Sequence, residues 1–412
     1  MMNAFISSSC FQCGRLVLRC PQKSKVLCSK KGIQKFRAVP VESRISENLK
    51  TLFETYKIAT SETSKHKKLL LSHFEALDIL EYLEFNCKDS SNWIDLEKPL
   101  QVHLGWKWVS QLKVIDQGLH LYLDFGPVFF SWHALTDFLG IDSHYRPFIE
   151  RNSQLTQESF KKKRPKRISI RNCKIRPGVL LWEEEDVAHS HVQRVSFFSA
   201  STKRPITLVP ITRDSPPTAI IGGFTMHRGY SDSLTMNPGL DTQLKIDCLY
   251  PLAPKSRVLD ICTGLGYTAI ELLQRYPDIE QLITIEIDES MVLLQQINPW
   301  SSALINGNRE VVHRLLVDAT TILPKLPDNY FQVIIHDPPS QSLQGDLYSY
   351  DFYCQLARVL SPSGQMYHYI GNPNSREAGR LYQGVIDRLQ RAGFGRIVKK
   401  SQAYGIIGIK TN

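Results

Sequence analysis

Two carboxylates in this chain have neighbours that suit chemistry. Asp260 precedes the turn Cys262-Thr263-Gly264-Leu265-Gly266-Tyr267, an Asp-x-x-x-Gly-x-Gly pattern, and Asp337 is followed at once by Pro338, Pro339 and Ser340. Glycines at such a turn let a ligand approach the backbone closely. The acid ahead of them suits a cationic, phosphate-free ligand, because a carboxylate repels a pyrophosphate. The pattern differs from the Gly-x-Gly-x-x-Gly of dinucleotide sites and from a phosphate loop, which needs Gly-Lys-Ser/Thr. Two prolines fix the backbone after Asp337, so its carboxylate projects rigidly. An amine undergoing substitution needs that kind of orientation, and an acceptor as its charge develops. Two further acids, Glu286 and Asp318, are spaced to take ribose hydroxyls and an adenine amino group respectively.

The elements that must position these groups follow from periodicity. Short apolar strands alternate with helical stretches from about residue 240: Arg257–Ile261, Tyr267–Arg275, Leu282–Ile287, Glu289–Ile297, Val311–Val317, Phe331–His336, Tyr350–Leu360, Gln365–Ile370 and Arg380–Ala392. Such alternation implies βαβ units and a mostly parallel, doubly wound sheet with helices on both faces. Asp260, Glu286, Asp318 and Asp337 then stand at the ends of four successive strands. Asp288 reads instead as the N-cap of the next helix, and Asn298-Pro299 as the stop after it. Residues 42–160 read as a small α+β region. It has a helix at Ser46–Tyr56, a second at Leu69–Leu83, and strand alternation through Val102, Leu104, Trp106 and Trp108 and again through Leu119, Leu121 and Leu123. Residues 161–167 hold six basic residues in seven and read as a linker. Residues 168–235 form a β-rich segment leading into a catalytic domain over 236–412.

Residues 240–412 resemble the class I S-adenosylmethionine-dependent methyltransferases, through the glycine turn and the acids at successive strand ends. The resemblance implies a Rossmann-like α/β fold and S-adenosyl-L-methionine as cofactor. It places Asp260, Gly264 and Gly266 around the methionine moiety, Glu286 at the ribose and Asp318 near the adenine, with Thr263 and Tyr267 of the same turn as further cofactor-binding residues. Asp337-Pro338-Pro339 resembles the Asp-Pro-Pro-aromatic element of methyltransferases that act on amino groups of bases, with Ser340 in the aromatic position. Base stacking then needs another ring, for which Trp300, Tyr348, Tyr350 and Phe352 are candidates. His336 and His368 fall near the ends of neighbouring strands, as proton relays or, by preference, as hydrogen-bonded pocket residues. A wider run of motifs resembles a family of predicted archaeal methyltransferases from about residue 205 onward. It comprises Pro216-Pro-Thr, Met226-His-Arg, Asn298-Pro-Trp-Ser, His336-Asp-Pro-Pro and Gly345-Asp-Leu-Tyr-Ser. Arg228, just before the domain, is a site candidate because a preceding segment there closes over the cofactor. The implied activity is methyl transfer to an exocyclic amine, with RNA of an organellar ribosome as the expected partner. A small-molecule amine is the alternative acceptor. A weaker similarity runs to aminopropyltransferases of the spermidine synthase type, through Asp337-Pro-Pro and Gly345-Asp-Leu-Tyr-Ser-Tyr-Asp-Phe-Tyr, but their glycine turn is Gly-Gly-Gly-Asp-Gly.

The chain has 412 residues and a formal net charge of +10. Eight of its basic residues precede the first acid, Glu42, in a stretch that carries Ser7-Ser8-Ser9. An acid-free, Arg/Lys-rich, Ser-containing start resembles an organelle transit peptide over 1–41, which points to a chloroplast, with the mitochondrion as the alternative. Without it a formal charge of about +2 remains, so overall basicity says little about nucleic acid. Cys10-x-x-Cys13 lacks a second tight pair, so no metal site is expected. No apolar run reaches the roughly 18 residues of a membrane span.

Overall fold

A computed structural model describes residues 47–58, 67–86, 93–115, 117–142, 173–186, 189–229, 235–308 and 310–411. The leader 1–41 and the basic run 161–167 lie outside the described residues.

The chain begins with helix α1 (Glu47–Tyr56), strand β1 (Lys68–Ser72) and helix α2 (His73–Asn86). A four-stranded antiparallel sheet follows in simple meander order, β2 (Ile94–Val102), β3 (Lys107–Ile115), β4 (Gly118–Leu123) and β5 (Gly126–Ser131), ending in α3 (Trp132–Leu139). Strands β6 (Val179–Asp186) and β7 (His189–Arg194) join β1 in a small antiparallel sheet of order β1-β6-β7. A third sheet, order β11-β10-β9-β8, is made by β8 (Ser196–Ser199), β9 (Arg204–Val209), β10 (Thr218–Ile221) and β11 (Phe224–Thr225).

The C-terminal half carries helix α4 (Pro238–Ile246) and then the expected alternation: β12 (Arg257–Ile261), α5 (Tyr267–Arg275), β13 (Gln281–Glu286), α6 (Glu289–Ile297), α7 (Ser302–Ile305), β14 (Val312–Leu316), α8 (Ala319–Ile322), β15 (Phe331–His336), α9 (Tyr350–Val359), β16 (Leu360–Tyr369), α10 (Ala378–Arg391), β17 (Phe394–Lys400) and β18 (Gly405–Lys410). These strands form one seven-stranded sheet of order β14-β13-β12-β15-β16-β18-β17. The first five are parallel, while β18 runs antiparallel to β16 and β17 antiparallel to β18. This is a Rossmann-like, doubly wound α/β sheet of the class I methyltransferase type, as read from the sequence. Every residue of β13 is buried, as a strand covered on both faces requires. From β12 the chain winds outward to β14, then returns to place β15 on the other side of β12. The reversal opens a crevice beyond the carboxyl ends of β12 and β15, where open α/β sheets bind ligands.

Two N-terminal readings need correction. Leu69–Leu83 is not one helix, because Leu69, Leu70 and Leu71 pair across strands with Trp182, Leu181 and Leu180. The helix starts only at His73, behind a capping box. The Glu75 N–H donates to the Ser72 hydroxyl at 3.1 Å and the Ser72 N–H donates to the Glu75 carboxylate at 2.7 Å. Three leucines at adjacent positions satisfy a buried strand as well as a helix, and tertiary pairing decides. Nor are Val102–Trp108 one strand. β2 stops at Val102, and His103, Leu104 and Gly105 take φ of 59°, 54° and 86° in a hairpin turn.

The hairpin turn reaches the C-terminal half. Leu104 lies in the same buried cluster as Leu70, Leu181, Leu265, Tyr267 and Leu304. At the sheet's outer edge, the Ile58 N–H donates to the Arg314 carbonyl of β14 at 2.9 Å, so the segment after α1 covers that edge.

Candidate active site

The glycine turn owes its shape to backbone that ordinary residues resist. Cys262, Gly264 and Gly266 all have positive φ, at 64°, 57° and 83°. A Cβ on Gly266 would stand 2.4 Å from Leu304 Cδ2, and one on Gly264 would stand 2.9 Å from Met226 Sδ. The second contact shows that the segment after β11 lies over the turn.

Asp260, at the end of β12, is buried, and its Oδ1 accepts from the Thr268 hydroxyl at 3.0 Å. Its Oδ2 is buried without a partner among the described residues. Burial pushes the Asp260 carboxyl up to about 7, and the nearby Asp337 and Glu286 carboxylates add to the rise. An orphaned carboxylate oxygen beneath a glycine cradle fits a cationic ligand that supplies the missing charge. The sign is definite: below the raised pKa Asp260 is neutral, above it ionised, and a cation binds the ionised form. Affinity for a sulfonium nucleoside should therefore climb by up to about tenfold per pH unit below neutrality and level off above pH ~7. The uncharged thioether analogue should show a much flatter profile. Calorimetric titration of both ligands across this range reads the difference, and parallel profiles would remove Asp260 from the cation site.

Glu286, at the end of β13, is an organiser of the turn. Its Oε2 accepts from the Gly264 N–H at 2.8 Å, and its Oε1 accepts from the N–H groups of Ile287 and Asp288 at 2.9 and 3.0 Å. Burial raises its carboxyl above the ordinary range, against the pull of those three donors. The Thr263 hydroxyl donates to the Ile285 carbonyl at 3.1 Å and so braces the turn from below. Asp318 caps α8, its Oδ1 accepting from the Thr320 N–H and hydroxyl, each at 2.7 Å. Asp288 caps α6 through the Ser290 N–H at 2.9 Å, and its other oxygen accepts from the Ser199 hydroxyl at 2.6 Å. Tyr267 does not face the crevice. Its hydroxyl donates to the Pro217 carbonyl and accepts from the Asn298 amide, both at 2.8 Å, which turns the ring into the core.

Asp337 follows β15, whose register with β12 (Asp260↔Ile335, Ile261↔His336) carries it just past the end of β12, near enough for its carboxylate to raise that of Asp260. Its side chain is 21% exposed, and its Oδ2 accepts from Lys245 Nζ at 2.6 Å. Its Oδ1 has no hydrogen-bond partner among the described residues. Lys245 is buried on α4 and also meets Asp241 Oδ2 at 3.1 Å, while Arg228 Nε meets Asp241 Oδ1 at 2.5 Å. Burial would strip the Lys245 proton, but Asp241 and Asp337 outweigh it and hold the ammonium above the ordinary lysine range. Burial likewise works to raise Asp241, yet Lys245 and Arg228 keep it below its usual value. Arg228 therefore belongs to a buried ion network adjoining the crevice. The Pro338-Pro339 segment is held by Tyr348, whose hydroxyl donates to the Pro339 carbonyl at 2.9 Å.

Several ring candidates are committed elsewhere. Tyr348 and Phe352 are buried, so neither offers a free face. The Trp300 indole N–H donates to the Leu104 carbonyl at 3.1 Å and its ring meets Trp106 edge-on at 5.7 Å, so it anchors the N-terminal hairpin. His336 and His368 are cross-strand partners on β15 and β16, fully buried with rings 4.5 Å apart. His336 Nε2 donates to the Leu347 carbonyl at 3.0 Å, and His368 Nε2 accepts from the Tyr353 hydroxyl at 2.9 Å. Burial pushes His336 down to about 4 and His368 well below its usual value, so both are neutral hydrogen-bonded core residues. Sequence reasoning missed Lys245, Asp241 and Tyr369. The Asp241/Lys245 spacing of four on a helix was the available signal. Tyr369, half-buried at the end of β16 with its ring centre 5.2 Å from Lys245 Nζ, is the ring that stands beside Asp337's partner.

Among the described residues no helix is long and apolar enough to cross a membrane, and no group of three or more His, Cys, Asp or Glu is placed to hold a metal. A cavity of about 420 Å³ is lined by Tyr250, Gln332, Gly364 and Arg396 near the amino ends of β15 and β16. It lies at the opposite end of the sheet from the acids.

No protein-family model matches the chain. An uncharacterized protein of Methanocaldococcus jannaschii is 40% identical over 196 residues, 47% of this chain and 64% of that protein. A polyamine aminopropyltransferase of Mycobacterium tuberculosis is 32% identical over 143 residues, 33% of this chain and 26% of that enzyme. A tRNA1(Val) (adenine(37)-N6)-methyltransferase of Proteus mirabilis is 32% identical over 124 residues, 29% of this chain and 45% of that enzyme. The chain thus spans less than two thirds of the length of each. Among solved structures, spermidine synthase from Thermotoga maritima has a TM-score of 0.39 at 16% identity, over 54% of this chain and 75% of that one.

Proposed function

We propose that this chain is an S-adenosyl-L-methionine-dependent methyltransferase acting on an exocyclic amine of organellar ribosomal RNA. The observation that carries the reading is the pairing at one crevice of two unlike carboxylates. Asp260 has an orphaned, buried oxygen suited to a cation, and Asp337 offers Oδ1 from a proline-fixed loop while Lys245 holds Oδ2. S-adenosyl-L-methionine, when bound, supplies a methyl group on a sulfonium centre. Asp260 and the Gly264–Gly266 turn would meet its methionine end, Glu286 its ribose, and Asp318 its base. Asp337 Oδ1 accepts one N–H of the acceptor amine, which fixes the nitrogen lone pair in line and stabilises the positive charge that grows on nitrogen. That orienting role asks for an immobile carboxylate; Lys245 holds Oδ2 in place and favours the ionised form, against burial, which raises the Asp337 carboxyl above its ordinary range. The name of the Proteus mirabilis relative, which refers to a base amine of tRNA, supports an RNA acceptor. The acid-free basic leader supports import into a chloroplast.

Mass spectrometry of nucleosides from organellar ribosomal RNA, wild type against knockout, tests the substrate. The expected result is one methylated base absent from the knockout; unchanged nucleosides would turn the search to small amines. A fluorescent fusion of the leader tests the compartment, and mitochondrial signal would replace the chloroplast. The second reading, aminopropyl transfer from decarboxylated S-adenosylmethionine, is favoured by the similarity to polyamine aminopropyltransferases. Tight binding of that cofactor with no binding of S-adenosylmethionine would establish it.

A further inference from the structure

The charges around Asp337 bear on which amines the crevice admits, an inference that rests on the methyltransferase reading above. Four ionised side chains form one cluster: Arg228, Asp241, Lys245 and Asp337. Arg228 Nε meets Asp241 Oδ1 at 2.5 Å, Lys245 Nζ meets Asp241 Oδ2 at 3.1 Å, and Lys245 Nζ meets Asp337 Oδ2 at 2.6 Å. The Arg228 guanidinium also lies 4.3 Å from the Tyr404 ring centre, and Lys245 Nζ lies 5.2 Å from that of Tyr369. Three of the four side chains are under a tenth exposed; only Asp337 reaches the crevice. Two carboxylates and two cations sum to no net charge. In a low-dielectric wall such a cluster offers hydrogen-bond acceptors without a net negative charge.

An ammonium ion entering the crevice must shed water, and it binds only where unpaired negative charge replaces that water. Asp337 is the carboxylate at the acceptor position, and its charge is already matched. A second ammonium placed on Oδ1 would also approach the Lys245 ammonium on the other oxygen. An uncharged amine attached to an aromatic base meets neither obstacle, since it asks only for an acceptor at Oδ1. We propose that Lys245 is a specificity-determining residue, which neutralises the acceptor carboxylate and so selects uncharged aromatic amines over polyammonium substrates. Aminopropyl transfer to a diamine is disfavoured by the same feature.

The test is calorimetric titration of the full-length protein, with S-adenosylmethionine present, against 1,4-diaminobutane. Wild type should show no binding at millimolar diamine. Lys245→Met, which keeps a long apolar stem but leaves Asp337 uncompensated, should bind the diamine at least about tenfold more tightly than wild type. Lys245→Arg should behave as wild type, which a merely structural role for the stem would not predict. Arg228→Gln leaves the same single negative excess without touching Asp337's partner, so it serves where Lys245→Met does not fold, and should gain diamine binding too. Diamine binding by wild type overturns the proposal, as does a folded Lys245→Met or Arg228→Gln protein that gains none. Failure of the underlying reading looks different: wild type would then bind decarboxylated S-adenosylmethionine and ignore S-adenosylmethionine itself.

Discussion

Replacing Asp337 with asparagine lowers the rate of methyl transfer by about a thousandfold while changing cofactor affinity less than about threefold. The amide keeps the size and the proline-fixed backbone, so the acceptor amine still reaches its place. What is lost is the charge facing a nitrogen that becomes positive as the new bond forms. A thousandfold corresponds to about 4 kcal/mol of transition-state stabilisation, the scale of one charged group acting in a water-poor crevice. The substitution also halves the negative charge on Lys245, which retains Asp241 at 3.1 Å. The protein should fold with a stability loss of about 1–3 kcal/mol, below the cost of an unpaired buried charge. Single-turnover kinetics with a methylatable base, beside a denaturant melt, separates the two effects. A loss confined to cofactor affinity would place Asp337 on the cofactor side of the crevice.

Glu286→Ala carries the second large effect, and its signature is opposite. Three backbone N–H groups, from Gly264, Ile287 and Asp288, end on this one carboxylate. Removing it leaves buried donors without acceptors, each worth about 1 kcal/mol or more. The fold should lose about 3 kcal/mol, and cofactor affinity should fall about a hundredfold as the glycine turn relaxes. Once cofactor is saturating, turnover should recover to within about threefold of wild type, because Asp337 is untouched. Glu286→Gln should be intermediate, since its amide oxygen can serve two of the donors but its NH₂ opposes the third. Calorimetry and urea unfolding read both numbers. An alanine protein binding cofactor normally would mean that the turn holds itself.

Much of this was legible in the chain alone. The strand–helix alternation after residue 240, the glycine turn and the four acids at strand ends are local patterns, and local patterns survive folding because they depend on near neighbours. Asp288 as a cap was legible for the same reason. What escaped were partnerships across long stretches of chain. Lys245 reaches Asp337 over 92 residues, and only the winding of the sheet brings α4 against the end of β15. Trp300 looked like a stacking surface beside a catalytic loop, yet it is taken by Leu104, 196 residues away. Tyr267 and Tyr348 misled differently: position in a motif does not say which way a ring points, and both hydroxyls go to backbone carbonyls. The strand β1 was hidden because Leu69-Leu70-Leu71 suits either period, and its partner lies beyond residue 178. The last two strands, β17 and β18, were passed over altogether.

The hairpin turn at His103–Trp106 does more than join two strands. Leu104 shares a buried cluster with Leu265 and Leu304 around the glycine turn, and its carbonyl receives the Trp300 indole. The N-terminal region therefore has no surface of its own at this seam, and neither does the catalytic half. Heat or denaturant that loosens one uncovers part of the other's interior at this turn, which couples the two, although the N-terminal region keeps a separate buried core around Leu80, Leu121 and Phe130. A catalytic half cut free of its N-terminal partner would carry an open, greasy flank next to its ligand crevice, a poor candidate for life as an independent module.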